Sequence, residues 1–147
     1  MSTQFLFPLT GKLLELSSCP ESVFASKILG NGFVIKFEGN ELKAPFSGVV
    51  IATFPAGHAF IVRDEKSGLE VMMHVGLKSA RKEEAFNSLV KKYQRVKQGQ
   101  VLTQIKTDLF DDSTNYCPVL FADPEQKFCL EKLGQLITVG DTEAVKL

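Results

Sequence analysis

The chain has 147 residues, enough for one domain that buries roughly 70% of its unfolded surface, so residues 1–147 read as a single domain needing neither disulfide nor metal to fold. Its 17 basic and 17 acidic residues cancel, which excludes the electrostatic footprint of a nucleic-acid or anionic-membrane binder and leaves small molecules and proteins as partners. Three cysteines without CxxC spacing (Cys19, Cys117 and Cys129), no basic leader and no apolar run of about 20 residues fit a cytoplasmic protein with reduced thiols and no membrane insertion.

Short β-like runs follow one another along the chain. They cover Lys12 to Leu16, Gly32 to Phe37, Ser47 to Phe54, His58 to Arg63, Leu69 to Val75, Val101 to Lys106, Pro118 to Ala122 and Leu136 to Val139, with turn residues between most of them. Such spacing predicts an all-β antiparallel sandwich or barrel rather than βαβ units. Pro8-Leu-Thr-Gly-Lys-Leu-Leu and Pro45-Phe-Ser-Gly-Val-Val-Ile share the form Pro-apolar-hydroxyl-Gly-x-apolar-apolar, which suggests a duplicated strand-turn unit.

Two stretches read as helical. Pro20 to Leu29 opens with Pro and Glu, places Val23, Phe24 and Ile28 at helical spacing and stops at Gly30. Ser79 to Tyr93 carries an apolar stripe of Ala80, Ala85, Phe86, Leu89, Val90 and Tyr93 among charged residues, with no breaker before Gly99.

The only two histidines, His58 and His74, lie on successive strand-like runs, with Lys66 at their midpoint inside Asp64-Glu65-Lys66-Ser67-Gly68. A hairpin centred on Lys66 would set the imidazoles opposite one another with Cβ atoms roughly 5 Å apart. The same register pairs Phe60 with Met72 and Val62 with Glu70 on the histidine face, and Ala59 with Met73 and Ile61 with Val71 on the other. A slip of one residue would send the histidines to opposite faces.

A single histidine in an apolar strand is commonly structural, because one satisfied ring nitrogen is enough to bury it. Two facing each other hinder each other's protonation and add nothing to packing, which points to function. Resident zinc lacks ligands, since no HxH, HExxH or CxxC accompanies the pair and Glu70 is the nearest acid on its face. Hydrolysis lacks a Gly-x-Ser-x-Gly elbow or a Cys-His grouping, leaving Ser47 and Cys117 without a role. The remaining chemistry is phosphoryl capture: one neutral imidazole attacks and the other hydrogen-bonds the phosphoryl oxygens, with Phe54, Phe60 and Met72 excluding water.

Leu29-Gly-Asn-Gly-Phe-Val-Ile, Ala44-Pro-Phe-Ser-Gly-Val-Val, Phe54-Pro-Ala-Gly-His-Ala-Phe, Gly68-Leu-Glu-Val-Met-Met-His-Val-Gly-Leu and Arg95-Val-Lys-Gln-Gly-Gln occur in this order. Together they resemble the glucose-type enzyme IIA of the bacterial phosphoenolpyruvate-dependent sugar phosphotransferase system, from about Phe7 to the C-terminus. The resemblance implies an antiparallel β-sandwich of the duplicated hybrid-motif type with short helical segments. It implies His74 as phosphoryl acceptor and His58 as the neighbour that stabilises the phosphoryl group. It also implies a histidine-containing phosphocarrier protein as donor, a cysteine of an enzyme IIB domain of a sugar permease as recipient, and regulatory targets on the same face. Phe54, Phe60, Met72, Val75 and Lys78 are expected to line that docking face. No cofactor is required, and a zinc ion shared by His58, His74 and a partner's acid is a further option within the family.

Several positions depart from the family pattern. Ala56 stands where a threonine usually joins the site's hydrogen bonds, and Lys78 stands where an acidic residue usually follows His-x-Gly-Leu, with Arg81 and Lys82 close behind. Lys78 either steadies the incoming phosphoryl group or repels a basic donor. Lys82-Glu-Glu-Ala-Phe86 replaces Gly-Glu-Gly-Phe, which raises local helicity, and the histidines are one residue further apart than usual, so that one of the two lengths needs a bulge. The same fold working as a regulatory binding module with little phosphoryl transfer is therefore an alternative. A biotin- or lipoate-type carrier with Lys66 at a hairpin tip is a third, although Glu65 and Ser67 do not match the usual flanks.

Overall fold

The computed structural model describes residues 4–78 and 82–147. Thirteen short strands form among them: β1 (Gly11–Glu15), β2 (Asn31–Phe37), β3 (Glu41–Lys43), β4 (Gly48–Thr53), β5 (Ala59–Asp64), β6 (Glu70–His74), β7 (Phe86–Ser88), β8 (Arg95–Val96), β9 (Val101–Ile105), β10 (Tyr116–Phe121), β11 (Cys129–Leu130), β12 (Leu136–Ile137) and β13 (Val145–Lys146). A single turn of helix, α1 (Ser22–Ala25), falls where Pro20 to Leu29 predicts one. All eight predicted strands form with small boundary shifts. The five strands not foreseen have two or three residues each, too few for alternation to register in sequence.

Eight strands make one antiparallel sheet in the order β12-β1-β2-β10-β6-β5-β4-β8, and β3-β9-β7 make a second. Inward residues of the large sheet, among them Leu13, Ile35, Val62 and Met73, share one core with Leu42, Leu102 and Ile105 of the small one. That joint core makes the fold an antiparallel β-sandwich. Phe5, Phe7, Phe33, Phe37, Phe60 and Phe121 fill it almost without exposure. A second cluster lies on the outer face, where Leu16, Cys19 and Phe24 cover Val34, Leu77 and Leu120. No helix among the described residues is long and apolar enough to cross a membrane.

The repeated heptapeptides occupy equivalent places. Gly11 opens β1 against Phe37 of β2, and Gly48 opens β4 against Asp64 of β5. A Cβ at either glycine would collide with the neighbouring strand's backbone, at Lys36 O and Arg63 O respectively. The hydroxyl before each glycine accepts a backbone N–H at 2.9 Å, Thr10 from Val139 and Ser47 from Gln98. The halves also exchange bonds: Lys43 N donates to Pro8 O (2.8 Å) while Leu6 N donates to Pro45 O (2.9 Å). Gly140 N donates to Phe7 O and Gly99 N to Ala44 O, both at 2.9 Å. The sheet order reads the same from either edge, β12-β1-β2-β10 mirrored by β8-β4-β5-β6, as expected of a duplicated unit.

Two local readings require correction. Of the helix expected over Ser79 to Tyr93, residues 79–81 lie outside the described residues; Glu83–Ala85 form a 3₁₀ turn and Phe86–Ser88 form β7. The stripe is bifunctional: Ala85 and Val90 do point inward, but β9 offers Phe86–Ser88 a ladder of hydrogen bonds, and Asn87 Nδ2 donates to Gln104 Oε1 at 2.8 Å. Sheet pairing outweighs the modest helix propensity of the segment.

The β5–β6 hairpin is centred between Lys66 and Ser67, one step from the predicted register, pairing Ala59 with His74, Phe60 with Met73, Ile61 with Met72 and Val62 with Val71. The turn decides this. Asp64 N donates to Leu69 O (2.8 Å) and Gly68 N to Asp64 O (2.9 Å), while the Asp64 carboxylate accepts from Ser67 N and Ser67 Oγ. Gly68 takes φ +77°, a left-handed position that closes a four-residue loop instead of an odd-numbered one. The β5–β6 ladder is regular, and the irregularity falls in β4 between Val50 and Ala52 rather than between the histidines.

Candidate functional site

His74 is the last residue of β6, and His58 stands just outside β5, after Gly57 at φ +77°. Because His58 lies beyond the regular strand, the one-residue slip does not send it to the opposite face from His74. The backbone locks the two together. Val75 N donates to His58 O at 2.7 Å, and Gly57 N closes a turn onto Phe54 O at 2.8 Å. Gly76, at φ +82°, then turns the chain away and anchors it through a 2.9 Å bond to Tyr116 O.

The imidazoles meet edge to face, with centroids 4.8 Å apart and planes at 78°. Aromatic rings surround them. Phe24 of α1 lies 5.3 Å from His74, while Phe54 and Phe86 lie 5.8 and 6.2 Å from His58. His58 is only 4% exposed. Both Nδ1 atoms are buried without a hydrogen-bond partner.

Burial, reinforced by the neighbouring His74, lowers the pKa of His58 from 6.5 to about 4. Burial also lowers that of His74, against the opposing pull of the Gly76 backbone and of its own. Both rings are therefore neutral at pH 7, with a lone pair on each.

The predicted surroundings divide. Phe54 is 36% exposed beside His58, and Lys78 is exposed just past His74 at φ 57°. Phe60 and Val75 are wholly buried and cannot line a docking face, because the true register turns Phe60 with Met73 into the sandwich core. Met72 is half-buried on the opposite face from Phe60, packed against the cluster of Leu16, Cys19 and Phe24. Glu70 is spent on Arg63, whose Nη2 and Nε donate to it at 2.7 and 2.9 Å, so it supplies no acid to the histidines. No group of three metal-ligating side chains occurs among the described residues, so any zinc at His58 and His74 would need ligands from outside.

Phe24 and Phe86 are site residues that sequence reasoning did not single out. Both fall on stretches whose spacing reads as helical, and nothing in the sequence links either to a histidine some 30 to 50 positions away along the chain. The arrangement presents a neutral nucleophile and a neighbouring ring able to donate a hydrogen bond, in an apolar setting that suits an activated phosphoryl group.

The chain as a whole is similar to known proteins. The chain is 38% identical over 102 residues to the "PTS system glucose-specific EIICBA component" of Staphylococcus carnosus (strain TM300), a match spanning 69% of this chain and 15% of that much longer protein. The solved structure "glucose permease IIA from Mycoplasma capricolum" superposes with a TM-score of 0.87 at 28% identity, covering 99% of this chain and 96% of that one. Residues 3–126 match the family described as phosphoenolpyruvate-dependent sugar phosphotransferase system, EIIA 1. The chain belongs to this EIIA family, the phosphotransferase components that carry phosphoryl groups in sugar uptake.

Proposed function

We propose that His74 is the phosphoryl acceptor and His58 the group that holds the phosphoryl oxygens. The observation carrying this reading is the edge-to-face pair, 4.8 Å apart, inside an aromatic surround. With both Nδ1 atoms buried, Nε2 is the nitrogen of each ring left to meet a partner. His74 keeps its proton on the buried Nδ1 and attacks phosphorus through Nε2, as the donor's P–N bond breaks and its electron pair returns to the donor imidazole. His58 takes the other tautomer and donates from Nε2 to the phosphoryl oxygens. The arriving negative charge raises the pKa of His58, which strengthens that hydrogen bond as the product forms.

The donor in this reading is a histidine-containing phosphocarrier protein. The recipient is a cysteine of an enzyme IIB domain, in keeping with the fused arrangement named for the Staphylococcus relative, and the setting is the cytoplasm. Phe54, Met72 and Lys78 are the parts of the expected docking face that the fold leaves at least partly accessible. A zinc ion could be shared by His58, His74 and an acid of a regulatory partner, requiring no ligand beyond the pair on this side.

The purified chain incubated with phosphoenolpyruvate, enzyme I and the phosphocarrier should gain an acid-labile label, and its absence would favour the other reading. That reading, a regulatory binding module of the same fold, draws on the unpartnered Nδ1 atoms, on Ala56 in place of a hydroxyl residue and on the basic Lys78 at the rim.

A further inference from the structure

Phe110 follows the 3₁₀ turn Thr107–Leu109, far from both histidines in sequence, and its ring packs against the turn at Gly76 that leaves the site. A Cβ on Gly76 would collide with Phe110 Cε1, so the ring occupies the space that a side chain at residue 76 would need. The position of Gly76 in turn sets the backbone beside the His74 imidazole. The ring also reaches His58 through one intermediary: Phe110 lies 5.9 Å from Phe86, which lies 6.2 Å from His58. Phe37 supports it edge-on from the core at 5.4 Å.

Lys82 closes the arrangement. Its Nζ stands 4.8 Å over the Phe110 ring and donates to the Leu109 carbonyl at 2.7 Å. A cation over a ring face and a charge-assisted bond to the adjacent carbonyl both fix the ring in one orientation. Phe110 thus touches a support of each histidine, Gly76 beside His74 and Phe86 beside His58.

We propose that Phe110, clamped by Lys82 against Gly76, is a positioning residue that holds His74 and His58 at their transfer geometry. The inference rests on the acceptor reading of His74, and Phe110 itself touches no reacting atom. Displacement of about 1 Å at a reacting group is enough to slow transfer by one to two orders of magnitude.

The test measures two properties of Phe110→Ala and Phe110→Leu: phosphoryl acceptance as a function of donor concentration, and the titration of both imidazoles by ¹⁵N NMR in the unphosphorylated protein. Phe110→Ala should lower the rate at saturating donor roughly tenfold while leaving the half-saturating donor concentration within about twofold. It should also move both imidazole titrations upward toward the free value as water enters, and Phe110→Leu should restore most of both properties.

Wild-type rate and titrations in Phe110→Ala would overturn the proposal. So would a change confined to half-saturation, which would make Phe110 a docking contact, or a defect that leucine does not repair. Should Phe110→Ala fail to fold, Lys82→Gln takes its place, with smaller changes in the same direction expected and no change being fatal. If the wild-type chain accepts no phosphoryl group, the acceptor reading falls, and the titration arm still decides whether Phe110 positions the histidines.

Discussion

The backbone of Val75 donates to the carbonyl of His58 at 2.7 Å, so the residue after one histidine is tied directly to the other. That bond keeps the two rings in contact even though the hairpin pairs His74 with Ala59. The backbones that carry the two rings are therefore tied together, and the roles proposed for the rings are separated by changing side chains.

His74→Ala should abolish acid-labile labelling. His58→Gln should still accept a phosphoryl group but pass it on slowly, by roughly 10²-fold, because it keeps a donor without the imidazole's reach and rigidity. Transfer assays to an enzyme IIB domain separate the two steps, and labelling that survives in His74→Ala would show that the acceptor lies elsewhere.

Acidification should weaken the fold in a defined window. The folded-state pKa of His58 is about 4 against 6.5 ordinarily, and that of His74 is shifted the same way, so the unfolded chain binds these protons first. Their contribution is complete above pH 6.5 and declines as pH falls toward about 4. Urea midpoints followed across this range should drop in the wild type and drop less in His58→Gln.

Lys78→Asp tests the rim. Aspartate tolerates the left-handed backbone at this position, so the change is chiefly one of charge. Faster acceptance from a basic donor at low salt, with the gain shrinking at high salt, is expected if Lys78 repels that donor. Slower acceptance would instead assign Lys78 to the phosphoryl group.

Gly76→Ala should cost about 1–2 kcal/mol from the left-handed backbone alone, and more from collision with Phe110. A thermal midpoint lowered by several degrees is the corresponding observable.

Thiol alkylation checks the burial pattern. Cys129 is exposed, while Cys19 and Cys117 are buried, and burial raises the pKa of both. Intact mass should show one adduct on the folded protein and three after denaturation.

The histidine pair and the long strands were legible because alternation and composition act locally. The register was not, because one hydrogen-bonding carboxylate, Asp64, and one left-handed glycine, Gly68, settle a hairpin that the apolar pattern allows in two ways. With the register went Phe60, read as a surface residue and found in the core. The segment around Phe86 was misread because its apolar residues satisfy either period, and only the presence of β9 alongside makes it a strand. The family resemblance singled out the two histidines that the fold brings into contact, whereas the rings of Phe24, Phe86 and Phe110 come together through tertiary packing that no short motif records.

The exchanged bonds between the repeats, Lys43 to Pro8 and Leu6 to Pro45, mean that neither half is complete until the other has arrived. Segments near residue 99 and residue 140 must then close onto residues 44 and 7. Such a chain cannot mature from one end to the other. It should fold in a single cooperative step on the millisecond-to-second scale of long-range β topologies, and a nick between the two halves should unfold the whole molecule rather than release a stable fragment.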